Sequence, residues 1–325
     1  MRALITGAAG QDGILLSQDL LASGAEVVGL VKPGTDASFL RRYAPAVQVI
    51  ECDLSDSALL RTALSDTSAD EIYNLGGISS IVESFNDPVG THAVNVGAVR
   101  TILEALAENP GHGRLVQASS GTIFEKTDVA PQNEATPRAP HSPYAKAKAE
   151  AMDLIARYRA DHGVHASAAI LYNHESPLRG SGFVTRRITE GVARIAAGQQ
   201  QGLELGNLDV CRDWGWAPDY VRGMQLMMRT AEPRDYILAT GQTHQLSEFL
   251  QLAFAAVGID NWAEHVTVRE DLKRDSDPVV LKGDGSAAYR DLGWQHTKSF
   301  AEMVQAMVDF DRELLANPNA LWRET

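Results

Sequence analysis

The sequence predicts an α/β protein built on a doubly wound parallel sheet, with a smaller mixed lobe formed mainly by the C-terminal part of the chain. Short apolar runs recur through the first half with helical patterns between them, the order of a parallel sheet and its crossovers. The first run, Ala3-Leu4-Ile5, opens into the glycine-bearing turn Thr6 to Gly13 and then an apolar-periodic helix, Ile14 to Leu21. A later run, Leu115 to Ala118, ends in Ser119-Ser120, placing two hydroxyls at the carboxyl end of a strand, where open α/β sheets bind ligands.

Composition bounds the reading. A chain of 325 residues with 44% hydrophobic and 22% charged content can bury one large core and a second lobe. Its net charge of -13 repels nucleic acid and anionic membrane, so neither is expected as a partner. Met1-Arg2 runs directly into the first strand, and no apolar segment reaches a membrane span, which predicts a cytoplasmic protein. Cys52 and Cys211 lack metal-ligand spacing, the nine histidines are scattered, and no metal is expected.

Taken in order, Gly7, Gly10 and Gly13 let the backbone approach a pyrophosphate seated on the start of the first helix, the arrangement of a Rossmann-like nucleotide site. Their spacing is G-x-x-G-x-x-G. The second strand, Val27 to Val31, ends in Lys32, with no acid to grip an adenosine ribose. A cation there suits a 2′-phosphate and points to NADP over NAD, with Arg41 or Arg42 as helpers. The third strand, Val47 to Ile50, leads to Asp53, placed to accept from an adenine amino group. The fourth, Glu71 to Leu75, ends at Gly76-Gly77, small enough for a cofactor to lie close. A long helix is expected from Pro88 to Ala107, with Asn95 inside it.

Tyr144 and Lys148 lie four apart in a helical pattern, which puts a phenol and an ammonium on one face. A nearby cation favours the phenolate and would make Tyr144 a base near neutral pH, with Ser120 holding the substrate oxygen. In the second half, Tyr172 to Pro177 follows the strand Ala166 to Leu171 as a polar loop at the same sheet edge. Arg179, Arg186, Arg187, Arg212 and Arg274 stand out in so acidic a chain as clamps for a diphosphate. Phe300 to Leu315 reads as a terminal amphipathic helix. We expect residues 1–172 to form a dinucleotide-binding domain, with a return to it near 210–245, and 173–325 to form mainly a nucleotide-sugar lobe.

These residues carry a resemblance. Thr6-Gly7-x-x-Gly10-x-x-Gly13, Asp53-Leu54, Asn74-Leu75, Ser120 and Tyr144-x-x-x-Lys148 resemble the extended short-chain dehydrogenase/reductases that act on nucleotide sugars. Within them the chain is most similar to the GDP-mannose 4,6-dehydratases, through Gln11-Asp12, Asn173-His174-Glu175-Ser176-Pro177, Phe183 to Arg186, Gly206 to Asp209, Arg212 to Gly215 and Ala239-Thr240-Gly241. The resemblance implies that Gln11, Asp12, Leu54, Asn74, Gly76 and His174 serve the cofactor alongside the glycines, Lys32 and Asp53. It implies that Ser79, Asn173, Val184, Arg187, Asn207 and Arg212 line a sugar-nucleotide pocket, with Arg274 and Asp277 reading guanine. It also implies a homodimer or homotetramer.

One position departs from that family. Where the dehydratases carry a glutamate that removes the C5 proton, two residues after the catalytic hydroxyl, this chain has Thr122. Strand alternation predicts that Ser120 and Thr122 face the same way, and Glu125 can substitute only if the chain turns. The expected activity is therefore NADP-dependent oxidation or reduction at C4 of a nucleotide-linked, GDP-linked hexose, by a 4-ketosugar reductase or a 4-epimerase. Its alternatives are a dehydratase with a displaced base and a non-catalytic NADP-binding relative.

Overall fold

A computed structural model describes residues 1–272 and 280–324. The first half alternates strand and helix: β1 (Arg2–Thr6), α1 (Gln11–Ala22), β2 (Glu26–Val31), α2 (Ser38–Tyr43), β3 (Gln48–Glu51), α3 (Ser57–Thr67) and β4 (Glu71–Asn74). Then come α4 (Ile81–Asn86), α5 (Pro88–His92), α6 (Ala98–Glu108), β5 (Arg114–Ser120), α7 (Pro143–His162) and β6 (Ala166–Leu171). The inner strands, such as β1 and β2, are short runs rich in Leu, Ile and Val buried on both faces, as a sheet covered by helices on each side requires, while β3 at the edge is only partly buried. Each fully buried Leu or Ile, such as Leu4 and Ile5, contributes about 2 kcal/mol of transfer free energy.

The helix expected over Pro88 to Ala107 has an interruption. Between α5 and α6 the residues Ala93–Gly97 form a π-turn with Asn95 at its centre, and such wide turns occur often at functional sites. Helix α7 begins at Pro143 behind the cap Ser142, whose hydroxyl accepts from the Ala145 amide at 3.1 Å. It ends at Gly163, which takes the left-handed conformation.

The second half supplies β7 (Asn173–Glu175), α8 (Val184–Ala196), β8 (Leu203–Leu205), β9 (Cys211–Arg212), β10 (Trp214–Trp216), α9 (Ala217–Met228) and β11 (Tyr236–Leu238). It continues with β12 (His244–Gln245), α10 (Leu246–Ala255), β13 (Val266–Val268), β14 (Val280–Leu281), α11 (Ser286–Leu292) and α12 (Phe300–Ala316). The main sheet has seven parallel strands in the order β11-β6-β5-β4-β1-β2-β3. Its order reverses between β1 and β4, so the crevice for a ligand opens at the carboxyl ends of those two strands. The sheet and its helices share one core. A second cluster, including Ile188, Trp214, Phe249, Phe254 and Met307, packs α8, α10 and α12 together.

The two cysteines are free, Cys52 buried and Cys211 half-buried. Among the described residues no helix is long and apolar enough to cross a membrane, and no cluster of His, Cys, Asp and Glu could hold a metal.

Candidate active site

The glycine turn lies against the loop after β4. A Cβ on Gly7, whose φ is +66°, would sit 2.7 Å from the Cα of Gly76, so neither loop tolerates a side chain between them. Helix α1 starts behind Gly10 with no side-chain cap, leaving its first amides directed into the crevice. An uncapped helix start at the switch point, with a glycine floor, fits a pyrophosphate.

Next to that floor, Asp12 and His174 pair at 2.9 Å through Nε2, while Nδ1 of His174 lies 2.7 Å from the carbonyl oxygen of Tyr172. Both ring nitrogens thus face acceptors, which requires both to carry protons. Burial opposes that charge, but the pairing with Asp12 outweighs it and raises His174 above its ordinary value. Burial also opposes the Asp12 carboxylate, and His174 holds it below the usual range. The imidazole stacks on Tyr220 at 4.7 Å between centroids, and Gln11 ties the same turn to the His174 carbonyl and the Ser176 hydroxyl.

Ser120 closes β5, and the chain turns at once into a 3-10 segment, Gly121–Phe124. Thr122 is therefore not a strand residue, and strand alternation does not set its direction. It stands beside Ser120 because of the turn: its hydroxyl donates to the Ser120 oxygen at 3.0 Å, and its amide lies 3.3 Å from the same atom. The neighbouring Gly121 packs on the Tyr172 ring, where a Cβ would come within 3.0 Å of Cζ.

The turn does bring Glu125 inward, but its carboxylate is occupied. It accepts from the His141 amide at 3.0 Å, the Ser142 amide at 2.9 Å and the Ser142 hydroxyl at 2.9 Å. Glu125 thus fastens the start of α7 to the end of the 3-10 turn. Nothing in the local sequence signals the acid that holds this helix start, because its partners are 16 and 17 residues further on.

Tyr144, in the first turn of α7, is buried and hydrogen-bonded to Ser120. The ammonium of Lys148 lies 5.8 Å from its ring centroid and donates to the Ala118 carbonyl at 2.7 Å. The expected lowering of the phenol by this cation does not occur. Burial dominates and pushes Tyr144 up against the smaller, opposite effect of Ser120, while burial alone lowers Lys148 to about 8. Asn95 holds the loop after β4 by donating to the Ile78 carbonyl at 3.0 Å and accepting from its amide at 2.9 Å.

Other expected residues take varied positions. Lys32 is exposed at the end of β2, and its charge adds to the effect of Ser55 in lowering Asp53. Arg42 is turned away, donating to the carbonyls of Pro318 and Ala320. Leu54 packs at Gly76, and Ser79 is exposed on the loop after β4. Asn74 is 1% exposed with both amide atoms bonded inside the sheet, so its side chain does not face the crevice. Asn173 begins β7, Val184 begins α8, and Asn207 accepts from the Asp209 amide. Arg187 is exposed and donates to the Glu204 carbonyl, and Arg212 donates to that of Cys211.

Arg186 is not a diphosphate clamp. It points into the lobe, paired with Asp311 at 2.6 Å and Glu190 at 3.1 Å. Arg179 lies 3.0 Å from Glu175 and 3.5 Å over the Phe183 ring. Arg274 and Asp277 lie outside the described residues.

Known proteins resemble this chain over nearly its whole length. The family model described as GDP-mannose 4,6 dehydratase matches residues 4–307. GDP-mannose 4,6 dehydratase 1 of Arabidopsis thaliana is 40% identical over 333 residues, covering 98% of this chain and 92% of that protein. Among solved structures, the UDP-glucose 4-epimerase of Thermotoga maritima superposes with a TM-score of 0.87 at 21% identity, covering 97% of this chain and 100% of the other. RMD of Pseudomonas aeruginosa, solved with NADPH, gives 0.80 at 22% identity over 96% and 99%. At such identities the structural likeness speaks for the fold alone.

Proposed function

The chain belongs to the GDP-mannose 4,6-dehydratase family, and from that membership and its site we propose that it is an NADP-dependent enzyme oxidising or reducing C4 of a GDP-linked hexose, a 4-ketosugar reductase or 4-epimerase, without the family's dehydration step. The observation that carries this reading is the pairing of an assembled Ser120–Tyr144–Lys148 group with Thr122 at the side of Ser120 and a Glu125 whose oxygens are taken by the start of α7.

A bound nicotinamide supplies or accepts the hydride at C4. Ser120 holds the C4 oxygen, and Tyr144 passes a proton to it when the ketone is reduced or takes one when the alcohol is oxidised. Burial keeps the Tyr144 phenol protonated in this state, the form that gives its proton to the C4 oxygen when a ketone is reduced. Lys148, whose ammonium lies 5.8 Å from the Tyr144 ring centroid, would hold the nicotinamide ribose, and its charge would favour the phenolate when the alcohol is oxidised.

Dehydration needs one more group, a base that removes the C5 proton while water leaves from C6. A threonine hydroxyl is too weak an acid-base pair for a carbon acid at neutral pH. Both carboxylate oxygens of Glu125 are engaged by three donors at the start of α7, so the reading of a displaced base loses its candidate. Lys32 supports NADP over NAD, because it carries a positive charge where an acid would have served the ribose hydroxyl.

The test is direct. With a GDP-linked 4-ketohexose and NADPH, a reductase consumes the cofactor and yields a product heavier by two hydrogens. With a GDP-hexose alone, an epimerase yields an isomer of equal mass. Loss of one water from GDP-mannose at a catalytic rate would overturn the proposal.

A further inference from the structure

Three side chains on neighbouring strands form a buried polar row across the sheet. Thr6 stands opposite Asn74 in the register of β1 and β4, and Asn74 stands opposite Gln117 in that of β4 and β5. All three are buried, Gln117 at 1% exposure between Val116 and Ala118. A leucine or methionine would fill the same space without needing a partner, whereas an unpaired buried amide costs about 1–3 kcal/mol. The row is completely paired, and its donors run one way. The Gly76 amide donates to the Thr6 hydroxyl at 2.8 Å, Thr6 to Asn74 Oδ1 at 2.6 Å, and Asn74 Nδ2 to Gln117 Oε1 at 2.5 Å. Gln117 Nε2 then donates to the Ala118 carbonyl at 2.8 Å, the same oxygen that accepts from Lys148 at 2.7 Å.

We propose that Gln117 is a positioning residue for Lys148: by donating to the Ala118 carbonyl it limits how firmly that oxygen holds the ammonium, leaving Lys148 free to turn toward Tyr144. The inference rests on the catalytic reading of Tyr144 and Lys148 given above. A carbonyl already accepting one hydrogen bond is a weaker acceptor for a second. Donors aligned head to tail polarise one another, so the row strengthens the competing bond. The row begins at Gly76, on the loop after β4, and at Thr6, the last residue of β1 before the glycine turn, and thus joins the crevice floor to the lysine. Around Lys148, β5 contributes the neutral Ala118 carbonyl, and the loop after β4 and the π-turn contribute Gly77 and Asn95, also neutral. The titratable neighbour is Tyr144 on its own helix.

The test follows the Lys148 Cε resonance by NMR from neutral to alkaline pH in lysine-labelled, cofactor-free protein, with Lys148→Arg giving the assignment. The parent should titrate at about 8. Gln117→Met removes the competing donor at nearly constant volume and should raise the midpoint by roughly 0.5–1 unit. Thr6→Val cuts the row two links away and should raise it by less, a measurement that stands even if Gln117→Met fails to fold. A purely structural role for Gln117 would lower the unfolding temperature and leave the midpoint in place. Unmoved midpoints near the parent value overturn the proposal while the catalytic reading stands. A parent midpoint at the ordinary value for lysine also overturns the proposal, since the ammonium would then be held in full despite Gln117, and leaves the catalytic reading, which needs the charged form, in place.

Discussion

Glu125 grips Ser142 twice, by its amide and its hydroxyl, each at 2.9 Å, and so ties the turn after β5 to the start of the helix that carries Tyr144. Glu125→Ala would leave the amides of His141 and Ser142 without their acceptor and should cost about 2–4 kcal/mol of stability, read as a lower unfolding temperature by calorimetry. If Glu125 served as a base instead, the parent protein would dehydrate GDP-mannose and Glu125→Gln would abolish that activity. We expect no such activity in the parent.

The second expectation concerns proton transfer. Tyr144→Phe keeps the ring and its packing and removes the hydroxyl bonded to Ser120. Turnover of the C4 substrate should fall by about two to four orders of magnitude, with cofactor affinity and unfolding temperature nearly unchanged. Normal turnover in this variant would remove Tyr144 from the chemistry, and Ser120 and Lys148 with it.

Cofactor choice turns on Lys32, exposed at the end of β2. NADP(H) should bind more tightly than NAD(H), by about tenfold or more, since one charge-assisted contact to a 2′-phosphate is worth about 1.5–3 kcal/mol. Lys32→Asp should invert the order. Calorimetric titration of both dinucleotides decides this, and equal affinities in the parent would end the argument.

The Asp12–His174 pair predicts a pH window. The pKa of His174 is raised by Asp12 above its ordinary 6.5, so its contribution to stability is full below 6.5 and is lost as pH rises through the raised folded value. Asp12 is lowered below 3.8, so its contribution is full above 3.8 and is lost as pH falls through the lowered value. Between about 3.8 and 6.5 the parent should therefore exceed His174→Asn by on the order of 1–2 kcal/mol, a margin that shrinks on the alkaline side. Thermal unfolding across pH measures it. A margin that does not change with pH would mean that His174 contributes by packing on Tyr220 alone.

Local pattern made much of the sheet legible. The strand Ala166–Leu171 is found with its expected bounds, and the glycine turn opens the expected crevice, because alternating strands and helices with glycine at the first turn leave few arrangements open. What stayed hidden depends on contacts between residues far apart in the chain. Thr122 was assigned its direction from strand periodicity, but β5 ends at Ser120, and the turn that replaces it is set by Tyr172 against Gly121 and by Glu125 at Ser142. The phenol was expected to be lowered by a lysine one helical turn away. Spacing along a helix says nothing of how deeply both groups are buried, and burial decided the direction. Arg186 reads as a clamp for a diphosphate because its partner, Asp311, is 125 residues later and nothing local links them.

Strand β11 lies at the edge of the main sheet beside β6, yet the chain reaches it only after building β7, α8, β10 and α9. The lobe is thus built from two stretches of chain, one before β11 and one after it, with a return to the sheet between them. A chain truncated after residue 172 would leave β6 as an open, fully apolar margin of backbone donors and acceptors, the kind of surface that recruits other chains. The lobe and the sheet therefore share a boundary strand, and neither can be exchanged for another protein's without supplying that strand.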